Sequence, residues 1–228
     1  MSRVWVTTTT WPKRALRANK TARHTVKTRM SPISHLLVSW VIADKTTTNA
    51  RDRKLVTLAG VIPDLDGLGL VGDGVAALFG LRSPGLYEHY HHYLLHGLAG
   101  AVGVSILLTL FARNRGRVAL LTLLTFHLHL LCDFVGSRGP SRDDLWAIFY
   151  YGPFNRDPMW IWKGQWALDG WQNKVIFILL FAWCLRIAVQ EGRSVVELFS
   201  GKANAGLVKV LRKWQASPRR SPIAEPTV

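Results

Sequence analysis

Four short stretches set metal-binding or acid–base side chains beside apolar sequence: Ser34-His35, Pro63-Asp64-Leu65-Asp66-Gly67, His91-His92-Tyr93-Leu94-Leu95-His96 and His129-Leu130-Leu131-Cys132-Asp133. Ionisable groups there are costly unless something satisfies them. Imidazoles and carboxylates without a thiolate pattern suit a hard or borderline divalent cation, zinc first, manganese or iron after it. His129 and Asp133 are four residues apart and share a helical face. His127 falls on nearly the opposite face and reads as structural. His92 shares a face with His96 if the helix already includes residue 92. His91 joins them only from just before the first turn.

The elements that must position these groups come from the rest of the chain. Its 228 residues are 49% hydrophobic with ten Trp, and the mean hydropathy is slightly positive, which points to membrane contact. The net charge of +15 is unevenly spread: residues 1–29 hold eight Lys/Arg and no acid, against 21 Lys/Arg and 14 Asp/Glu in the remainder. Residues 1–29 therefore read as a basic disordered leader with no secretory apolar core. Structured sequence is expected from Met30, a candidate initiator, to residue 215, with 216–228 a disordered Pro-rich tail. Cys132 and Cys184 sit in apolar runs with no CxxC pattern and read as buried small hydrophobes.

Periodicity and turn residues predict an all-α fold without strand pairs. Helices are expected over 33–43, 53–61, 90–111, 118–135 and 173–189, with an amphipathic one over 195–214. Gly-rich 64–86 is expected to be mostly loop with one helical turn near 75–81, and 136–172 a loop rich in Gly, Pro and Trp. No helix offers a clean run of about 20 apolar residues. The last three long helices are nevertheless apolar all round, which favours a membrane-associated bundle. Short connections make successive helices antiparallel. His35, Asp64 and Asp66, His91 to His96, and His129 with Asp133 then fall at one end. Arg51, Arg53, Lys54, Arg113, Arg115, Arg117 and Arg193 fall at the other, so the positive-inside rule turns the metal end outward from a bacterial-type inner (cell) membrane.

From Met30 to about Trp214 the chain resembles the YdjM-like family of predicted membrane-bound metal-dependent hydrolases. The resemblance rests on Ser34-His35-Leu36-Leu37, Pro63-Asp64-Leu65-Asp66, His91 with His96, and His129 with Asp133 followed by Gly139-Pro140. The motif order is also distantly similar to zinc-dependent phospholipase C and the P1-type nucleases. The resemblance implies a clustered, multi-metal phosphoesterase-like site with His35, Asp64 or Asp66, His91, His96, His129 and Asp133 as ligands, and it prefers His91 to His92. The expected core is His35, Asp66, His96, His129 and Asp133, completed by Asp64 and His91 around two ions that clamp attacking and leaving oxygens. Asp64 or Glu88 is a candidate general base, and Arg138 a candidate phosphate ligand. The expected partners are metal ions, membrane lipid and a small-molecule or lipid phosphoester.

Each residue has a plainer role open to it: Asp64 and Asp66 as turn caps, His96 as a core histidine, Arg138 as a surface arginine, Trp146, Trp160, Trp162, Trp166 and Trp171 as core or interface anchors. Their joint spacing favours the metal site. A non-enzymatic membrane protein with a structural metal is the main alternative. A transporter would carry ionisable groups at mid-membrane, and nucleic-acid or regulator binding, which rests on the basic excess, ranks last.

Overall fold

The computed structural model describes residues 5–7, 32–82, 85–91 and 93–216. The expected tail beyond residue 216, the leader apart from residues 5–7, and His92 lie outside the described residues. The fold is all-α, and the chain divides into two units, residues 1–178 and 179–228.

The first unit is built on α1 (Pro32–Thr46), α2 (Ala50–Ala59), a 3-10 helix (Ile62–Leu68), α3 (Gly69–Leu78), α4 (Leu86–Tyr90), α5 (Leu98–Leu110) and α6 (Arg115–Gly136). Pro32 occupies the first turn of α1, where its missing N–H costs nothing. Asn49 caps α2, accepting from the Asp52 amide at 2.9 Å, and Asn114 caps α6 through the Arg117 amide at 3.2 Å. Three residues join α1 to α2 and four join α5 to α6, so each pair packs antiparallel. The Asp52 carboxylate accepts from the Arg113 and Asn114 amides at 2.8 and 3.0 Å, tying the start of α2 to the α5–α6 turn.

Ala59, Ala101, Val104, Leu108, Phe126 and Leu130 form one core, and Ala43, Val56, Val118 and Leu121 a second. Small and hydroxylated residues let the backbones approach. A side chain at Gly60 would sit 1.8 Å from Ser39 Oγ. Ser105 and Thr122 hydroxyls lie 2.8 Å apart, and Thr125 Oγ1 donates to Val56 O at 3.2 Å. Polar cross-links and small contacts of this kind are how helices associate in lipid.

Four sequence expectations are corrected. Residues 64–78, expected to be mostly loop, belong to a 3-10 helix that starts at Ile62 and runs directly into α3; Gly69 and Gly72 face Leu86 of α4, where a Cβ would stand 2.7 Å from its backbone and 2.8 Å from its side chain respectively. The helix expected over 90–111 is broken: α4 ends at Tyr90, His91 is extended (φ −65, ψ 132), and α5 begins only at Leu98. Across the break the Leu95 amide donates to Asp66 and the Leu98 amide to Tyr150 O at 2.8 Å, and Gly97 permits that approach, since a Cβ there would meet the carbonyl oxygens of Tyr150 and Phe149 at 2.8 and 3.0 Å. The two longest helices extend beyond expectation, α6 to 22 residues and α7 (Trp171–Glu191) to 21. Finally, β1 (Trp5–Thr7) pairs antiparallel with β2 (Met159–Ile161), a short ladder of aromatic and β-branched residues where no strand was expected.

Helices α6 and α7 are long and apolar enough to cross a membrane. Ala50–Ala59 and Ile62–Leu78 would together make a third, broken span bent by 51°. The second unit comprises the later part of α7, a 3-10 turn (Val195–Leu198) and α8 (Gly201–Ala216).

Candidate metal centre

Four elements of the first unit deliver their side chains to one place. His35 sits in the first turn of α1. Asp64 and Asp66 lie on the 3-10 helix after α2, where successive residues turn by about 120°, so their carboxylates diverge to two sides of one turn. His91 and His96 flank the non-helical segment between α4 and α5. His129 and Asp133 project from one face of α6, one turn before its end.

Three imidazole nitrogens and two carboxylates converge. His129 Nε2 lies 3.1 Å from Asp133 Oδ2, 3.2 Å from His96 Nε2 and 3.7 Å from Asp64 Oδ1. His96 Nε2 is 3.5 Å from Asp133 Oδ2, and His35 Nε2 is 3.4 Å from Asp133 Oδ1. The His35 and His129 rings lie against each other tilted by 34°, with centroids 3.9 Å apart. Ligand atoms set tetrahedrally at 2.0–2.1 Å from a common point would lie about 3.4 Å from one another, so these separations are those of a coordination shell. Among the described residues, His35, Asp64 and His129, then His96, His129 and Asp133, and then Asp66, His91 and His96 form groups that could hold a metal ion.

Outer partners fix the tautomers. His129 Nδ1 faces the Gly60 carbonyl at 2.9 Å, so it carries the hydrogen and donates. His96 Nδ1 faces Asp66 Oδ2 at 2.8 Å and donates likewise. In the neutral rings both Nε2 lone pairs therefore point into the cluster, towards each other. Asp66 also accepts from His91 Nδ1 at 2.8 Å and from the Leu95 amide at 3.3 Å. Gly67 leaves room for this: a Cβ there would stand 3.3 Å from the His91 ring. A carboxylate bonded to the far nitrogen of a ligating imidazole is the usual orienting arrangement at a metal site.

The cluster is dry except at one edge. His96, His129 and His35 are 0, 1 and 3% exposed, whereas the Asp64 side chain is 21% exposed. Asp64 Oδ2 and Asp133 Oδ2 are buried and accept no hydrogen bond. Burial opposes charge on His35 and on His96. Balanced by protons alone, Asp133 nonetheless lifts the His35 pKa to about 10, and Asp133 with Asp66 lifts that of His96 to about 9. Orphaned carboxylate oxygens, inward-facing lone pairs and imidazoles that hold protons for want of another cation all fit a divalent ion. Five N and O donors without sulfur fit zinc, manganese or iron.

The remaining expected site residues lie apart. Arg138 donates to the carbonyls of Gln165 and Ser141 at 3.0 and 2.7 Å, which braces the loop after α6. The Glu88 side chain and His92 lie outside the described residues. His127 bonds to Leu123 O and Tyr150 OH at 2.8 and 3.1 Å, the structural role its helical position indicated. Trp146 meets the His91 ring edge-on at 5.7 Å, Trp162 stacks on Phe134, and Trp160 on Tyr150. Two contributors had been missed: the Gly60 carbonyl, and Ser137, whose hydroxyl donates to Asp133 Oδ1 at 3.0 Å. Ser137 is four residues past Asp133, and the i, i+4, i+8 series from His129 could have revealed it.

No family model, no curated protein and no solved structure matches the chain.

Proposed function

We propose that the chain is a membrane-bound, metal-dependent hydrolase of phosphoesters, as its resemblance to the YdjM-like family implies. The observation that carries this reading is two overlapping groups, His35, Asp64 and His129 and then His96, His129 and Asp133, which share the buried His129 and have one exposed edge at Asp64. These five residues hold the ion, and Asp66 orients His96 and His91. A divalent ion bound there supplies Lewis-acid activation of a phosphoryl oxygen and acidifies water. Asp64, whose side chain alone among the five reaches the exposed edge, would accept the proton of the attacking water. His129 Nε2 belongs to both groups, so in this reading they share one ion. A second ion, of the pair expected from sequence, would have to take Asp66, His91 and Nδ1 of His96.

Depth supports a lipid-like substrate. Helix α6 is about 33 Å long at 1.5 Å per residue, close to the hydrocarbon thickness. Its N-terminal end carries Arg113, Arg115 and Arg117, and Asp133 lies one turn from the other end. With α6 crossing the membrane, the metal centre sits at head-group depth, and the positive-inside rule turns it outward from a bacterial-type inner membrane.

Elemental analysis of protein purified in detergent without chelator, wild type beside Asp64→Asn, is the first test, followed by hydrolysis of bis-p-nitrophenyl phosphate and of phosphatidylglycerol vesicles. Bound metal in both proteins, with turnover lowered about 10²- to 10⁴-fold in Asp64→Asn, is the expected result. A structural metal is the second reading, favoured by the near-complete burial of His96 and His129. Stoichiometric metal with no hydrolysis of either substrate establishes it instead.

A further inference from the structure

The second unit carries a surface that the metal centre does not use. In α8, Leu207, Val210, Leu211 and Trp214 recur at i, i+3, i+4 and i+7 and form one face. Val210 is 46% and Trp214 73% exposed, and Phe199, just before the helix, is 81% exposed. On the opposite face Lys202, Lys209 and Lys213 are all exposed. A third side is used internally: Val208 is buried, Asn204 accepts from Ser194 N and Oγ at 2.8 Å and donates to Gly192 O at 3.2 Å, and Arg212 Nε donates to Val189 O at 2.8 Å. These bonds fasten α8 to the C-terminal end of α7, the helix long and apolar enough to cross a membrane. An exposed apolar face, an exposed lysine face and anchorage at the end of a candidate span occur together.

We propose that α8 is an interfacial helix that lies on an anionic lipid leaflet, with Phe199, Val210 and Trp214 dipping below the head groups and its lysines among their phosphates. The apolar stripe alone would serve any greasy surface. The lysine stripe selects an anionic one. The inference rests on neither metal nor hydrolysis.

The test uses the full chain in a Cys132→Ala, Cys184→Ala background, with a nitroxide at Val210→Cys or at Ala205→Cys on the polar side, reconstituted in vesicles of phosphatidylcholine with or without phosphatidylglycerol. The expected result is that in anionic vesicles the probe at 210 is reached by oxygen and shielded from an aqueous nickel chelate, and the probe at 205 the reverse. This contrast is expected to weaken in neutral vesicles and to be lost in Lys202→Glu, Lys209→Glu, Lys213→Glu. Equal accessibility at both positions, or a contrast indifferent to lipid charge and to the lysines, overturns the proposal. So does shielding at 210 that persists in detergent and rises with protein concentration, which marks a second copy of the chain as the occupant. Retained thermal unfolding of the triple variant in detergent separates a lost surface from a lost fold.

Discussion

The two ends of the helical bundle each bury an aspartate, and they treat it in opposite ways. Asp52, 2% exposed, has both oxygens filled: Oδ1 by the Arg113 amide, Oδ2 by the Asn114 amide and the Asn49 side chain. Every donor it meets carries a hydrogen, and the result is a knot that ties α2 to the α5–α6 turn. Asp133, 5% exposed, has one oxygen held by Ser137 and the other without a hydrogen bond, facing the inward nitrogens of His96 and His129. Buried carboxylates are equally expensive in both places. The difference lies in what surrounds them: amides that keep their hydrogens at one end, and imidazole nitrogens whose protons a metal ion can displace at the other. Displaceable protons give way to a cation, and amide hydrogens complete a fold.

The largest effects should separate the two ends completely. His129→Ala or Asp133→Ala is expected to abolish bound metal, read by elemental analysis of the purified protein. Asp52→Ala is expected to leave metal content unchanged while costing about 3 kcal/mol of stability, because two buried amides lose their acceptor. Metal loss in Asp52→Ala would collapse the distinction. Acidity should act on one end as well. His35 and His96, with pKa values of about 10 and 9, are protonated at neutral pH when no metal is present. Metal must displace both protons. Apparent affinity should therefore fall by up to about 100-fold for each unit that pH is lowered below 9. The sign reverses for chelator-treated protein. Both imidazoles are raised above the unfolded value near 6.5, so their stabilising contribution is full below about pH 6.5 and is lost as pH climbs through 9 to 10. Thermal unfolding of chelated and metal-loaded protein across pH 6 to 10 checks both trends.

Helix content was legible in the sequence because apolar runs and caps are local signals, although α6, expected from 118, starts at Arg115 because Asn114 caps it inside the basic turn. The gathering of the four motifs at one end was legible too, from short connections alone. Residues 64–78 were misread because their glycines signal loop, whereas tight turns against α4 suit residues without side chains: a Cβ at Gly69 would stand 2.7 Å from the Leu86 backbone. The helix break between His91 and Leu98 was invisible because the partners of its amides are distant in sequence, Asp66 for Leu95 and the Tyr150 carbonyl for Leu98. That break decides which histidines can reach Asp66. The helical-face rule that paired His92 with His96 presupposed a helix that does not exist there.

Smaller effects sharpen the contrast. Asp66→Asn keeps the shape of the side chain but weakens its hold on His96 and His91. An orienting carboxylate of this kind is worth about 10- to 100-fold in metal affinity, and the metal count should stay at one per chain. A fall from two ions to one would instead make Asp66 a ligand of a second ion, as the sequence led one to expect.

The smallest effect is the most discriminating, because it matches the energies and varies only the place. Ser137→Ala removes one hydroxyl from Asp133, and Asn49→Ala removes one cap from α2. Each should cost about 1 kcal/mol of stability, so thermal unfolding alone should not tell them apart. Ser137 holds Asp133 Oδ1 and thereby aims Oδ2 at the imidazoles. Asn49 touches only the Asp52 knot. Ser137→Ala should accordingly weaken metal binding about fivefold in a competition titration, the equivalent of 1 kcal/mol, while Asn49→Ala leaves it unmoved. Equal loss of affinity in both would mean that the cluster answers to overall stability, and the division of labour between the two ends would fail.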